Sequence, residues 1–392
     1  MRKLIIFVLL FVLFLVLFYT TDVYLSNWLE APVQRSFSKE NTGLTEARWN
    51  EMDKKLNAAS RNFYREYLEK TDFNGAILVC RNGKTIFENY SGLTSVKNGS
   101  PIDSTTSFHL ASVSKTFTAM AILMLEERGM LDIDDSVSTY LDGFPFASIS
   151  IKNLLSHRSG LPNYVHFAER MGWDSNRFMT NMDLLNMIRD HAKKLNAGRS
   201  GAYFDYCNTN YALLALIIEN VSKVSYAEFL EQNIFRPLGM NHTFVLGSQN
   251  MDMALPSFKF NNSKEPYMFL DMIYGDKNIY STPRDMMKWD AALYENRLFK
   301  SSTLEAAFIG YSHEKRGIRN YGLGWRLVEM PTGKKIIYHN GWWHGNNTVF
   351  SRLPADSTAI IVLGNKFNRN IYQARRIAGI FEGYGIHINE DD

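Results

Sequence analysis

The spacing of hydrophobic and polar positions changes several times along this chain, and each change marks an element. Arg2 and Lys3 precede an unbroken apolar run over residues 4–18, the pattern of a signal segment or a short membrane span. Residues 26–44 carry no period and read as a linker, after which 46–70 has the spacing of an amphipathic helix. Residues 75–80, the turn Arg81-Asn82-Gly83 and residues 84–88 form a strand–turn–strand pattern, because Asn-Gly tolerates the positive φ angles of a tight hairpin. From Ser112 the period lengthens: Phe117, Met120, Ala121, Met124 and Leu125 make the stripe of a helix ending at Gly129. A second apolar helix is expected around 211–221. Strand-like runs return at 321–328, 335–338, 347–351 and 358–363, before a last helix near 371–381.

An early hairpin, a helical centre and late strands predict an α/β (α+β) fold. One antiparallel sheet would be built from both chain ends and flanked by helices, with an inserted, mostly helical lobe as the second wall of a cleft. The expected divisions are an anchor or signal over 1–25, a linker over 26–44, a folded domain over 45–385 and a tail over 386–392. With 392 residues, 45% of them hydrophobic, the chain can bury a large core.

Charge and composition narrow the function. The 43 basic residues nearly balance 40 acidic ones, and the net +3 is not gathered into a basic tract, which argues against nucleic acid as a partner. Cys80 and Cys207 are the two cysteines; they make no disulfide framework or zinc-ligand spacing, and leave one long-range bridge open. The nine histidines contain no metal-binding spacing, so no metal is expected. Fifteen helical residues span about 22 Å against a hydrocarbon core of about 30 Å. Length alone favours a cleaved signal, but no Ala-x-Ala site precedes Glu30. The expectation is an uncleaved inner-membrane anchor over residues 4–25 with the bulk of the chain in the periplasm or otherwise outside the cytoplasm, secretion after cleavage being the alternative.

The sharpest chemical pattern is Ser112-Val113-Ser114-Lys115 at the start of the 112–129 helix. An offset of three places Ser112 and Lys115 on one face, a turn apart. A serine hydroxyl is a weak nucleophile until a neighbouring base takes its proton, and a desolvated lysine can be that base. Unpaired N–H groups at a helix start can hold an oxyanion. The pattern alone is equally that of an N-cap serine followed by a solvated lysine.

Its surroundings decide between these. Phe108-His-Leu-Ala-Ser112-Val-Ser-Lys115-Thr-Phe-Thr is followed by Leu154-Leu-Ser-His157-Arg-Ser-Gly160-Leu-Pro162, Phe204-Asp-Tyr206-Cys-Asn208-Thr-Asn-Tyr211, Ile234-Phe-Arg-Pro-Leu-Gly-Met240, Ile279-Tyr-Ser-Thr282 and His339-Asn-Gly341. In this order, over about residues 70–366, they resemble the serine hydrolases of the class C β-lactamase and penicillin-binding-protein family. The resemblance implies a β-lactamase/transpeptidase-like fold and a Ser112 acyl-enzyme. It makes Tyr206 the phenol that exchanges protons with Ser112 and the leaving group, with Lys115 as the cation that favours its ionised form. Asn208, two residues on, would project to the same side, bind the substrate carbonyl and position Lys115. His157 and Arg158 fall in what would be a structural loop.

One motif departs from the β-lactamase pattern: His339-Asn340-Gly341 stands where Lys-Thr-Gly is expected, replacing a fixed cation by a titratable group. Gly341 would allow close backbone approach, and the N–H of Trp342 would join that of Ser112 in holding the oxyanion. Of Trp342 and Trp343, alternation turns one toward the cleft and the other into the core. The resemblance implies no cofactor and a small-molecule or short peptide substrate, cleaved at an ester or amide bond by a D-Ala peptidase or esterase type of enzyme, with β-lactamase as the alternative. A catalytically silent relative that binds wall fragments or a partner is the alternative outside enzymes. The oligomeric state is left open.

Overall fold

The computed structural model describes residues 49–385 apart from 97, 98, 196, 295, 296 and 315. Among the described residues ten strands occur: β1 (Gly75–Arg81), β2 (Lys84–Ser91), β3 (Phe108–His109), β4 (Phe244–Val245), β5 (Ile279–Ser281), β6 (Arg319–Tyr321), β7 (Arg326–Glu329), β8 (Lys335–Trp343), β9 (Asn346–Leu353) and β10 (Thr358–Gly364). Seven form one sheet in the order β2-β1-β10-β9-β8-β7-β6, every pair antiparallel. The sheet therefore joins the early hairpin to the late strands, as the sequence pattern requires. At the β1–β2 turn Asn82 and Gly83 both have positive φ, 51° and 70°, the conformation in which a two-residue turn follows the twist of its strands.

Side-chain alternation sorts the sheet residues between two apolar layers. Ala76, Leu78, Cys80, Ala359, Ile361 and Leu363 join the main core with the helices of the inserted lobe. Ile77, Val79, Ile360 and Val362, also buried, face the other way. There helix α1 (Glu51–Phe63) packs against β2 and against the terminal 3₁₀ helix Arg369–Ile380, which lies on β9 and β10. With both faces covered, the central strands read as continuous apolar runs. Cys80 and Cys207 are both buried and free.

The helix carrying the Ser-x-x-Lys pattern is α2 (Ser114–Glu127), preceded by a 3₁₀ turn at Ala111–Val113. From Ser114 to Leu125 it is buried on every side, so its polar side chains find partners inside: Thr118 donates to the Gly275 carbonyl, and Ser114 accepts from the Ile279 N–H. It packs against α4 (Asn208–Ser222), which follows α3 (Asn181–Leu195) in the chain. Helix α5 (Pro283–Ala292) packs on β1 and β10.

Two expectations are corrected. Residues 321–328 are not one strand but the end of β6, a turn and the start of β7. Gly322 N–H bonds the Trp325 carbonyl, and Gly324 takes φ +87°. The Gly324 site is filled from beneath by Ala119 and the Tyr211 hydroxyl, so a Cβ would clash and only glycine lets the turn lie on α2. The second correction concerns the membrane-spanning signal-anchor. Among the described residues no helix is long and apolar enough to cross a membrane. The longest α-helices, α3 and α4, have 15 residues, about 22 Å where about 30 Å is needed. Residues 4–25, on which that expectation rested, lie outside the described residues.

Candidate active site

The site begins with a strained residue. Ala111, directly before Ser112, has φ +48°, a left-handed conformation that costs a side-chain-bearing residue about 1–2 kcal/mol. The surroundings enforce it: Ala111 N–H donates to His109 Nδ1 at 3.1 Å, and His109 Nε2 meets Asn278 Oδ1 at 3.0 Å. Burial pushes the His109 imidazole down to about 4, so the ring stays neutral and Nδ1 remains an acceptor. The 3₁₀ turn that follows leaves Ser112 partly exposed between buried Ala111 and Val113.

The i, i+3 offset brings Lys115 Nζ to 3.1 Å from Ser112 Oγ. Lys115 is fully buried and gives a second hydrogen bond to the Asp276 carbonyl at 2.9 Å. Its Nζ lies 5.0 Å from the centre of the Tyr206 ring and 5.6 Å from that of Tyr211, within cation–π range. Ser112, Lys115 and Tyr206 thus converge although 94 positions separate the first from the last (206 minus 112). Asn208 is placed differently from the alternation argument, because it opens α4 rather than continuing a strand, with Cys207 as the N-cap. Its Oδ1 is buried without a hydrogen-bond partner among the described residues, and the carbonyl that holds Lys115 is that of Asp276.

On the facing side β8 carries His339-Asn340-Gly341-Trp342. His339 is fully buried; its Nδ1 donates to the Asn340 carbonyl at 2.7 Å and its Nε2 accepts from the Tyr321 hydroxyl at 3.2 Å. Burial, then the charges of Arg326 and Lys115, hold it well below the ordinary imidazole range. His339 is therefore a neutral link and supplies no cation. A Cβ on Gly341 would stand 2.2 Å from Thr348 Oγ1 and 2.4 Å from the Leu110 carbonyl. The missing side chain is what allows β8 to lie against the Leu110–Ala111 backbone, just before Ser112. The Trp342 side chain points outward, 65% exposed. Trp343 packs inward, donating to Asp271 Oδ1 at 2.7 Å with its ring 4.6 Å from Lys277 Nζ.

Sequence reasoning gave His157 a structural role in its loop and did not single out Arg326, Asp276 or Lys277. His157, with φ +55°, is buried with its ring 4.3 Å from Tyr206, and its Nδ1 accepts from Cys207 N–H at 3.1 Å. Burial, then Lys115, His339 and Arg326, keep it neutral. Arg326 sets its guanidinium over Tyr206, 5.1 Å from the ring centre. Buried Asp276 accepts from the Tyr164 hydroxyl at 2.8 Å and pairs with Lys277 at 3.6 Å. The Tyr-Gly-Leu-Gly-Trp-Arg run held a signal for Arg326, since its two glycines mark a turn; nothing local marks Asp276 and Lys277.

A family model described as Beta-lactamase matches residues 61–384. Penicillin-binding protein 4* of Bacillus subtilis (strain 168) is 34% identical over 329 residues, covering 78% of this chain and 71% of that protein. Among solved structures, a penicillin-binding protein from Bacillus halodurans aligns with a TM-score of 0.71 at 23% identity, over 82% of this chain and 99% of that one. A class C β-lactamase aligns at 0.69 and 21% identity, over 85% and 98%. At these identities the structural likeness speaks for the fold.

Proposed function

This chain belongs to the β-lactamase family, whose members are serine hydrolases, and we propose that it cleaves an ester or amide bond through an acyl-enzyme formed on Ser112. The reading is carried by one contact: the Ser112 hydroxyl lies 3.1 Å from the amine of a lysine that is fully buried and stacked on Tyr206. In the first half-reaction Ser112 Oγ bonds to the carbonyl carbon and its proton passes to the Lys115–Tyr206 pair. The oxyanion sits between the N–H groups of Ser112 and Trp342, and the Asn208 amide holds the substrate. Collapse breaks the bond to the leaving oxygen or nitrogen, which takes the proton back through Tyr206. In the second half water gives a proton to the same pair as its oxygen bonds to the acyl carbon, and Ser112 departs as the restored hydroxyl.

A D-alanine-terminated peptide or a small ester is the substrate class of this proposal, in an envelope setting that suits a relative of penicillin-binding proteins. The neutrality of His339 leaves the strand no fixed charge for a substrate carboxylate, which weighs against a β-lactam and equally against the free carboxylate of a D-alanine terminus, and so favours a small ester. Intact-mass spectrometry of the chain with a fluorophosphonate probe tests the nucleophile. One adduct is expected, lost in Ser112→Ala, with turnover of p-nitrophenyl esters exceeding that of D-Ala-D-Ala peptides and of nitrocefin. No adduct on folded protein refutes the hydrolase reading.

A further inference from the structure

The turn after the helix Ile151–Leu155 gives a histidine the left-handed position that glycine usually fills. His157 N–H bonds the Leu154 carbonyl, Arg158 N–H bonds the Asn153 carbonyl, and His157 takes φ +55°, a helix end that glycine makes without strain. A side chain kept where it strains the backbone points to a use for that side chain. Two hydrogen bonds from this one residue hold the chain on either side of Tyr206. Asp205 N–H donates to the His157 carbonyl at 2.8 Å, and Cys207 N–H donates to Nδ1 at 3.1 Å. Between them the His157 ring lies 4.3 Å from that of Tyr206.

The donors that face the ring fix its tautomer. Asn210 Oδ1 accepts from Ser159 Oγ at 2.7 Å, which turns Asn210 Nδ2 toward His157 Nδ1 at 3.3 Å. Two N–H groups are thus directed at Nδ1, and burial, then Lys115, His339 and Arg326, keep the ring neutral. Its proton is therefore on Nε2. That N–H is buried and has no hydrogen-bond partner among the described residues. The His157 ring is packed against those of Phe204, Tyr206, Tyr211 and Tyr321, at 6.0, 4.3, 5.0 and 4.9 Å between centres. A buried donor left unpaired lowers stability, so its retention asks for a reason. An aromatic face accepts an N–H weakly, and more strongly once the phenol is ionised, because the negative charge spreads into the ring.

We infer that His157 is a positioning residue for Tyr206. It fixes the backbone on both sides of the phenol, and keeps a spare N–H beside the ring for the negative charge that Tyr206 carries before it takes the Ser112 proton and after it protonates the leaving group. The inference rests on the proposed acyl transfer at Ser112. His157→Asn separates the two roles: asparagine tolerates the left-handed backbone, its Oδ1 accepts where Nδ1 does, and it has no donor at the Nε2 position. With p-nitrophenyl acetate as substrate, His157→Asn lowers kcat/KM of the full chain about tenfold, the low end for a donor acting on a charged group. In the Tyr206→Phe background the same change costs less than twofold, because the charge it serves is gone.

A tenfold loss that persists in Tyr206→Phe would place the effect of His157 elsewhere in the fold and overturn the inference. So would a His157→Asn chain within twofold of the native kcat/KM. Should that variant not fold, the native chain decides by nitrogen-15 NMR of its assigned histidines at pH 7. The His157 ring is expected neutral with its proton on Nε2, and a proton on Nδ1, or on both nitrogens, overturns the inference. Failure of the acyl-transfer reading is distinct: a native chain with no fluorophosphonate adduct and no ester turnover removes both, whereas an active native chain matched by His157→Asn removes only the role of His157.

Discussion

Replacing Gly341 by alanine tests whether the contact between β8 and the nucleophile turn governs catalysis. The added Cβ would lie 2.2 Å from Thr348 Oγ1, 2.4 Å from the Leu110 carbonyl oxygen and 3.0 Å from Ala111 Cβ. The threonine can rotate, though it gives up its 2.7 Å hydrogen bond to that same carbonyl. The Leu110 carbonyl cannot, because it belongs to the backbone just before Ser112. Restoring a carbon–oxygen contact of roughly 3.3 Å therefore moves β8 and the Ser112 turn apart by about 1 Å. A displacement of that size in a positioned constellation costs about a hundredfold in rate, and because the oxyanion contact strengthens in the transition state the loss falls on kcat more than on KM. Overpacking removes about 1–3 kcal/mol of stability as well. Ester kinetics and urea unfolding measure the two effects. Two further variants separate them. Gly129→Ala, at φ +67° with open space around it, loses about 1 kcal/mol from backbone strain with kcat/KM intact. Adding Thr348→Ala to Gly341→Ala recovers less than tenfold, since the carbonyl clash remains. Gly341→Ala with native stability and kcat/KM within threefold of the parent would refute the close-approach argument.

Two further outcomes concern stability. His109 is held down to about 4 by burial, below its unfolded value near 6.5, so the unfolded chain binds the proton first as pH falls; stability is complete above pH 6.5 and roughly 3 kcal/mol is lost on descending through pH 4. Urea unfolding at pH 7.5, 5.5 and 4.5 checks this, with a shallower decline expected for His109→Gln; parallel declines would place the acid sensitivity elsewhere. Arg352 Nε donates to Asp290 Oδ1 at 2.6 Å with both side chains buried, so Arg352→Met strands the carboxylate and costs about 3–5 kcal/mol, much of which the double variant Arg352→Met/Asp290→Leu restores. A double variant no more stable than the single one would contradict this account.

The parts of this fold legible in the sequence are those determined by neighbours in the chain. The Asn82-Gly83 hairpin, the all-apolar strands β1 and β10, and the meeting of Ser112 with Lys115 each follow from a spacing of a few residues. The misreadings occur where tertiary packing overrides the local pattern. Tyr321 to Val328 has strand-like composition, but Gly322 and Gly324 fold it into a turn seated on Ala119. Asn208 was expected to alternate with Tyr206, yet the helix begins between them. Arg326 reaches Tyr206 through the pairing of β6 with β7, and Asp276 reaches Lys115 across 161 positions. Such convergences depend on sheet order and lobe packing, which no short window contains.

The same convergences give a reason for histidine at position 339. The site already encloses two lysines. Lys115 is bonded to a hydroxyl and a carbonyl, while Lys277, between the rings of Tyr164 and Trp343, is balanced by Asp276. Asp271 is committed to Trp343 and His344. Position 339 is fully buried and lies within reach of the charges of Lys115 and Arg326. A lysine there would be a further buried cation facing two others, with both nearby acids already engaged, a desolvation cost of several kcal/mol without a partner. A neutral imidazole avoids that cost, accepting from Tyr321 and donating to its own strand. Beside it the half-buried Arg326 sets its guanidinium over the Tyr206 ring, a cation that a lysine at 339 would have to face.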